Sequence, residues 1–117
     1  MCRILLAALA LIAGAAVAEA QEVGGSYAVT GDNPNGSTYT GTAEITPSGS
    51  GCTIVWQTGS TTSSGICMRA KMMFSAYYRL GADAGMVIYE LQPNGALVGY
   101  WVIPGKEGVG HETLTPR

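Results

Sequence analysis

The sequence predicts an all-β fold, an eight-stranded antiparallel up-and-down β-barrel carrying one disulfide. Three observations point there. Segment after segment alternates apolar and polar residues with a period of two. Short clusters of Gly, Pro, Asn, Asp and Ser separate these segments. Finally, Cys52 and Cys67 stand equidistant from the Gly59-Ser60 step, so a hairpin turning there sets them face to face and lets a disulfide close.

The N-terminus reads as an export signal. Met1-Cys2-Arg3 supplies one positive charge, residues 4–18 are an apolar run, and Ala18-Glu19-Ala20 is a small-x-small cleavage pattern. The run is shorter than the ~20 apolar residues that span a bilayer. Residues 1–20 are therefore expected to be a signal peptide cleaved before Gln21, and residues 21–117 a single barrel domain, periplasmic or secreted. Cleavage removes Cys2. The remaining pair in an oxidising compartment reads as one disulfide, and no metal site or cofactor is expected. The chain of 117 residues has a net charge of −2 and only 12% charged residues. That balance offers no basic patch for nucleic acid and no basic amphipathic helix for a membrane surface.

The segments follow in order. Residues 26–30 place Tyr27 and Val29 on one face, and Asp32-Asn-Pro-Asn-Gly36 is turn chemistry. Over 38–46, Tyr39, Gly41, Ala43 and Ile45 share the core face, because a one-residue slip would bury Glu44. Pro47-Ser-Gly-Ser-Gly51 reads as a turn. In 52–57, Cys52, Ile54 and Trp56 point inward. A four-residue loop, 58–61, is favoured next, because it puts the cysteines in a non-hydrogen-bonded pair, where Cα atoms are closer. The return strand includes residues 65–68. Residues 71–80 put Met72, Phe74, Ala76, Tyr78 and Leu80 inside, and Gly81-Ala-Asp-Ala-Gly85 turns the chain. Then 86–91 points Val87, Tyr89 and Leu91 inward, and 97–103 does the same with Leu97, Gly99, Trp101 and Ile103, after the Pro93-Asn-Gly95 hairpin signal. A last strand covers about 109–114. Consecutive antiparallel strands joined by short turns close most simply into a barrel; a two-sheet sandwich is the rival.

Several stretches carry a family likeness: Gly25-Ser-Tyr-Ala-Val-Thr-Gly31, Asn33-Pro-Asn-Gly36, Tyr39-Thr-Gly41-Thr-Ala-Glu-Ile45, Cys52-Thr-Ile-Val-Trp56, Gly65-Ile-Cys67 and Gly108-Val-Gly-His-Glu-Thr-Leu-Thr-Pro116. Together they resemble small exported proteins of alphaproteobacteria that carry the label fibronectin-binding protein. The likeness covers most of residues 21–117 and implies adhesion to an extracellular protein such as fibronectin. Asn94-Gly-Ala-Leu-Val-Gly-Tyr-Trp101 is similar to the turn-and-strand pattern of avidins, in the calycin-like avidin and lipocalin superfamily of eight-stranded barrels. That similarity implies the architecture alone.

Residues with catalytic potential are few, and no catalytic residue is assigned. His111 is the one histidine. Its neighbour Glu112 falls on the opposite face of a strand, so the two cannot act together. Asp32-Asn-Pro-Asn-Gly36 departs from a calcium loop at Pro34 and at the position of its glycine. Asn35-Gly-Ser37 fits the short N-glycosylation pattern, and Ser48-Gly-Ser-Gly51 lacks the lysine of a phosphate loop. Glu44 and Glu90 fall on solvent faces, which argues against a glycosidase pair.

Three functions remain. The first is a non-enzymatic binding module. With Val87, Tyr89 and Leu91 inside, Met73, Tyr77, Ile88, Val98 and Tyr100, along with Met86 and Val102, point outward on consecutive strands, rimmed by Lys71, Arg79 and Glu90. They form an apolar, aromatic partner surface for an extracellular or periplasmic protein. The alternative is a carrier of a small apolar ligand, with Trp56, Phe74, Tyr78, Tyr89 and Trp101 around the cavity, although in so short a barrel these side chains are expected to fill the interior themselves. The third is a periplasmic inhibitor of lysozyme or a protease that inserts the 47–51 loop.

Overall fold

Side-chain alternation on paired strands dictates the architecture. The computed structural model describes residues 22–117, so the expected signal peptide lies outside the described residues. Eight strands follow one another: β1 Gly25–Asp32, β2 Thr38–Ser48, β3 Gly51–Thr58, β4 Thr61–Ala70, β5 Met73–Leu80, β6 Asp83–Leu91, β7 Leu97–Val102 and β8 Gly110–Pro116. Each pairs antiparallel with the next and β8 returns to β1, so that Val29 opposes Gly41 on one side and Leu114 on the other. Closure leaves no open sheet edge, which settles the choice between barrel and sandwich. Among the described residues no helix is long and apolar enough to cross a membrane.

The inward phase of the strands matches the sequence reading; Tyr27, Val29, Ile45, Ile54, Tyr89 and Leu97 are each 2% exposed or less. Their lengths do not match. Ser48 pairs with Gly51, Thr58 with Thr61, Ala70 with Met73 and Leu80 with Asp83. The turns between them therefore have only two residues: Gly49-Ser50, Gly59-Ser60, Lys71-Met72 and Gly81-Ala82. Their first residues have φ of 60°, 61°, 56° and 58°. Positive φ at the first residue alone is the type II′ arrangement, whose twist suits the flanking strands. Pro47, Ser48, Gly51, Thr58, Thr61, Asp83 and Gly85, read from composition as turn or loop residues, belong to strands. Met72, assigned to the inside, sits in a turn and is half exposed.

The expected four-residue loop at 58–61 is likewise replaced by a two-residue turn. Counting back from it puts Cys52 and Cys67 in a hydrogen-bonded pair, not the non-hydrogen-bonded pair on which the longer loop was argued. The disulfide forms all the same. The two Cα atoms are directly opposed, 4.9 Å apart, within the span a disulfide bridges.

The core occupies the disulfide end and the middle of the barrel. Ile45, Ile54, Phe74, Tyr89, Leu97 and Leu114 are all but sealed from solvent. Each such side chain contributes about 1.5–3 kcal/mol on burial. At the end bearing the β3–β4, β5–β6 and β7–β8 connections, by contrast, the barrel is open.

Candidate functional site: an open barrel end over a buried carboxylate

The open end encloses a cavity of about 260 Å³, near the lower limit of small-molecule sites. Trp56, Tyr78, Trp101 and Tyr39 supply its aromatic wall. Thr58, Thr61, Ser63 and Asn33 add polar groups, and Glu112 completes the lining. The orientation of the rings follows from cross-strand glycines. Tyr39 lies opposite Gly31, Tyr78 opposite Gly85 and Trp101 opposite Gly110. A Cβ on any of these three glycines would come within 2.0–2.3 Å of the ring of its partner. The missing side chains let the rings lie flat across the neighbouring strand, a recurring use of glycine–aromatic pairs in curved sheets. Trp56 and Tyr78 then meet edge to face at 5.3 Å, and Tyr39 and Trp101 at 6.5 Å.

Glu112 is the buried charged residue of the described core, 7% exposed. Strand alternation puts it there, in phase with Gly110 and Leu114. Three neutral donors from three strands converge on its carboxylate. Tyr39 Oη donates to Oε1 at 2.9 Å, Trp56 Nε1 donates to Oε2 at 3.1 Å, and the Tyr89 hydroxyl also donates to Oε2. Trp101 Nε1 in turn donates to Tyr39 Oη at 2.9 Å, which extends the network to β7. Every buried polar side-chain atom among the described residues is thus partnered.

Burial pushes the Glu112 carboxyl above its ordinary value, against the pull of the hydrogen bonds from Tyr89, Tyr39 and Trp56. Burial, and then the nearby Glu112 charge, raise Tyr78 to about 12 and push Tyr39 and Tyr89 well above the ordinary phenol value. All four shifts have the same linkage sign. The folded state holds protons that the unfolded state releases, so stability falls as pH rises through each window. For Glu112 the loss begins above its ordinary value of 4.5 and is complete above its raised folded value. For the tyrosines it begins above pH 10. Melting curves from pH 4.5 upward should show a falling midpoint that Glu112→Gln flattens. In alkali, the 295-nm tyrosinate absorbance of Tyr39, Tyr78 and Tyr89 should appear only as the barrel unfolds. A midpoint independent of pH from 4.5 to neutrality would contradict the assignment to Glu112.

The other residues singled out in the sequence fall elsewhere. His111 is exposed on the outer wall, its ring 4.9 Å from that of Tyr100 in an edge-to-face contact. It therefore lies on the opposite face from Glu112. Glu44 and Glu90 are exposed. Met73, Tyr77, Ile88, Val98 and Tyr100 do come together on the outside of β5, β6 and β7, where Ile88 opposes Tyr100 and both Met73 and Val98 oppose Glu90. All five are at least two-fifths exposed, and Ile66, Met68 and Met86 extend the patch. Trp56, Tyr78 and Trp101 line the cavity, whereas Phe74 and Tyr89 are packed below it. Three of these five rings thus line the cavity at the open end, and two belong to the packed core. A second hollow of about 470 Å³ at the disulfide end is lined by Gly24, Pro47, Arg69 and Phe74 among others and contains no buried polar group. Among the described residues no cluster of three or more His, Cys, Asp or Glu side chains could hold a metal.

The sequence reading missed Glu112 as an interior residue. The signal was present in its phase with Leu114 and in inward rings, Tyr39, Trp56, Tyr89 and Trp101 among them, whose O–H or N–H groups require an acceptor.

Fold and site together define a closed up-and-down barrel whose open, aromatic end holds a buried carboxylate. No protein-family model matches the chain, and no curated protein matches it.

Proposed function

We propose that this protein is a non-enzymatic binding barrel of an exported compartment, and that it holds a small, partly aromatic molecule in its open end. The observation that carries the reading is the cavity at the open end, which rings set by cross-strand glycines surround above a packed core. The separation of His111 from Glu112 supports a binding role over a catalytic one, as does the neutral hydrogen-bonded cage around the carboxylate. The Cys52–Cys67 disulfide supports the exported compartment. Because Trp56 and Trp101 both border the cavity, titration with a small aromatic dye should give a saturable, one-to-one change in tryptophan fluorescence, weakened at least tenfold by Trp101→Ala. A flat titration would reject the site.

The outer patch favours a second reading, capture of an extracellular protein such as fibronectin through β5, β6 and β7. Its support is the contiguity of large apolar side chains that monomeric surfaces ordinarily keep scattered. Under this reading the double variant Tyr77→Ser, Tyr100→Ser stays folded but no longer captures the partner; undiminished capture would exclude the patch. The inhibitor reading has less support, since only Gly49-Ser50 of the 47–51 segment forms a turn.

A further inference from the structure

We infer that the cavity takes a small organic cation, an amidinium, guanidinium or alkylammonium group on a compact apolar body, with its charge set against Oε1 of Glu112. This rests on the open end being a ligand site, and adds the chemistry that the site selects.

Three observations carry it. First, the partners of Glu112 are two phenols and an indole, all neutral, and among the described residues no cationic side chain reaches it. A charged pair on the rim, Lys106 with Asp83 at 3.1 Å, is satisfied within itself and exposed. A carboxylate buried without a counter-charge is costly, and a ligand that brings the charge recovers what burial has taken. Second, a carboxylate has about four acceptor sites. Oε2 takes two hydrogen bonds and Oε1 one, so an acceptor site on Oε1 remains for a donor entering from the cavity. Third, the cavity that Glu112 helps to line is walled by Trp56, Trp101 and Tyr78. Indole and phenol faces attract cations, most strongly where water is excluded. An anion would meet the carboxylate head-on. A neutral N–H donor could use Oε1 but would leave the charge uncompensated.

The titratable groups facing Glu112 are Tyr39 on β2, Tyr78 on β5 and Tyr89 on β6; all three stay neutral well above pH 10. Trp56 on β3 and Trp101 on β7 do not titrate, and His111 is outside the wall. Below pH 10 the cation preference should therefore follow the ionisation of Glu112 alone.

The test uses the full chain and three probes of nearly one shape: benzamidine as the cation, benzamide as its neutral isostere and benzoate as the anion. Affinities are read by calorimetry and tryptophan fluorescence. Benzamidine should bind at least tenfold more tightly than benzamide and benzoate not at all. The preference should shrink as pH falls toward 4.5, and Glu112→Gln should remove it. Equal or tighter binding of benzamide to the unaltered protein overturns the cation inference and leaves the ligand site standing, as does a preference that survives in Glu112→Gln. If the dye binds but none of the three probes does, the cation inference again falls alone. If nothing binds, dye included, both readings fall. Should Glu112→Gln not fold, the benzamidine–benzamide comparison on the unaltered protein decides.

Discussion

Gly65→Ala is expected to be among the most damaging single-methyl changes in the barrel, costing about 3 kcal/mol, the upper end of the usual cost of overpacking. Gly65 lies on β4 between Ile54 of β3 and Tyr78 of β5. A Cβ there would sit 1.9 Å from the main-chain oxygen of Tyr77. Nothing at that contact can rotate away. Two strands would have to separate, and in a closed barrel each strand is held on both sides, so the displacement spreads around the wall. For a domain of this size the midpoint should fall by at least about 12 °C. Gly110→Ala is the matched comparison. Its obstruction is the Trp101 ring, 2.0 Å away, which can swing into the cavity. That variant should lose less stability but most of its ligand binding. A thermal melt of Gly65→Ala within a few degrees of the parent would show that the strands are looser than this packing implies.

Removing the disulfide is the second large effect. The double variant Cys52→Ser, Cys67→Ser should lose about 3 kcal/mol, the chain-entropy value for a loop of roughly this length. Small domains have only about 5–15 kcal/mol in total, so the midpoint should drop by about 12–24 °C while the protein remains folded at room temperature. The cavity should survive the change. Cys67 packs with the core at the end remote from Trp101 and Thr58, and the ring–glycine pairs involve neither cysteine. Denaturant titrations with and without reductant check the first point, and dye binding to the variant checks the second. Unchanged denaturant midpoints would mean that the unfolded chain is already constrained near the hairpin.

Much of this fold was legible in the sequence because burial on a strand has a period of two. Ile45, Ile54, Phe74 and Tyr89 could not be moved to solvent without taking Glu44, Thr53, Ser75 or Glu90 inside. Turn length was less legible. Pro47, Ser48, Thr58 and Thr61 have loop-like composition, and only pairing across the hairpin draws them into strands. Glu112 was hidden for a related reason. A lone carboxylate between His111 and Thr113 reads as solvated, since composition does not show that Tyr39, Trp56 and Tyr89, from three distant strands, converge on it. The outward patch was readable because three consecutive antiparallel strands, β5, β6 and β7, alternate without interruption; what covers it is not a property of periodicity.

The sulfur bridge and the mouth occupy opposite poles of the molecule. The rim is built from the longer connections, 33–37 and 103–109, and Pro34 packs close to Gly108 across it. Substitutions in those two segments touch neither the opposite pole nor its covalent clasp. Under the proposed ligand-binding reading, selectivity can therefore change at the lip, in nature or by engineering, at little cost in robustness. The same barrel can serve as a chassis whose lip is rewritten while its base stays constant.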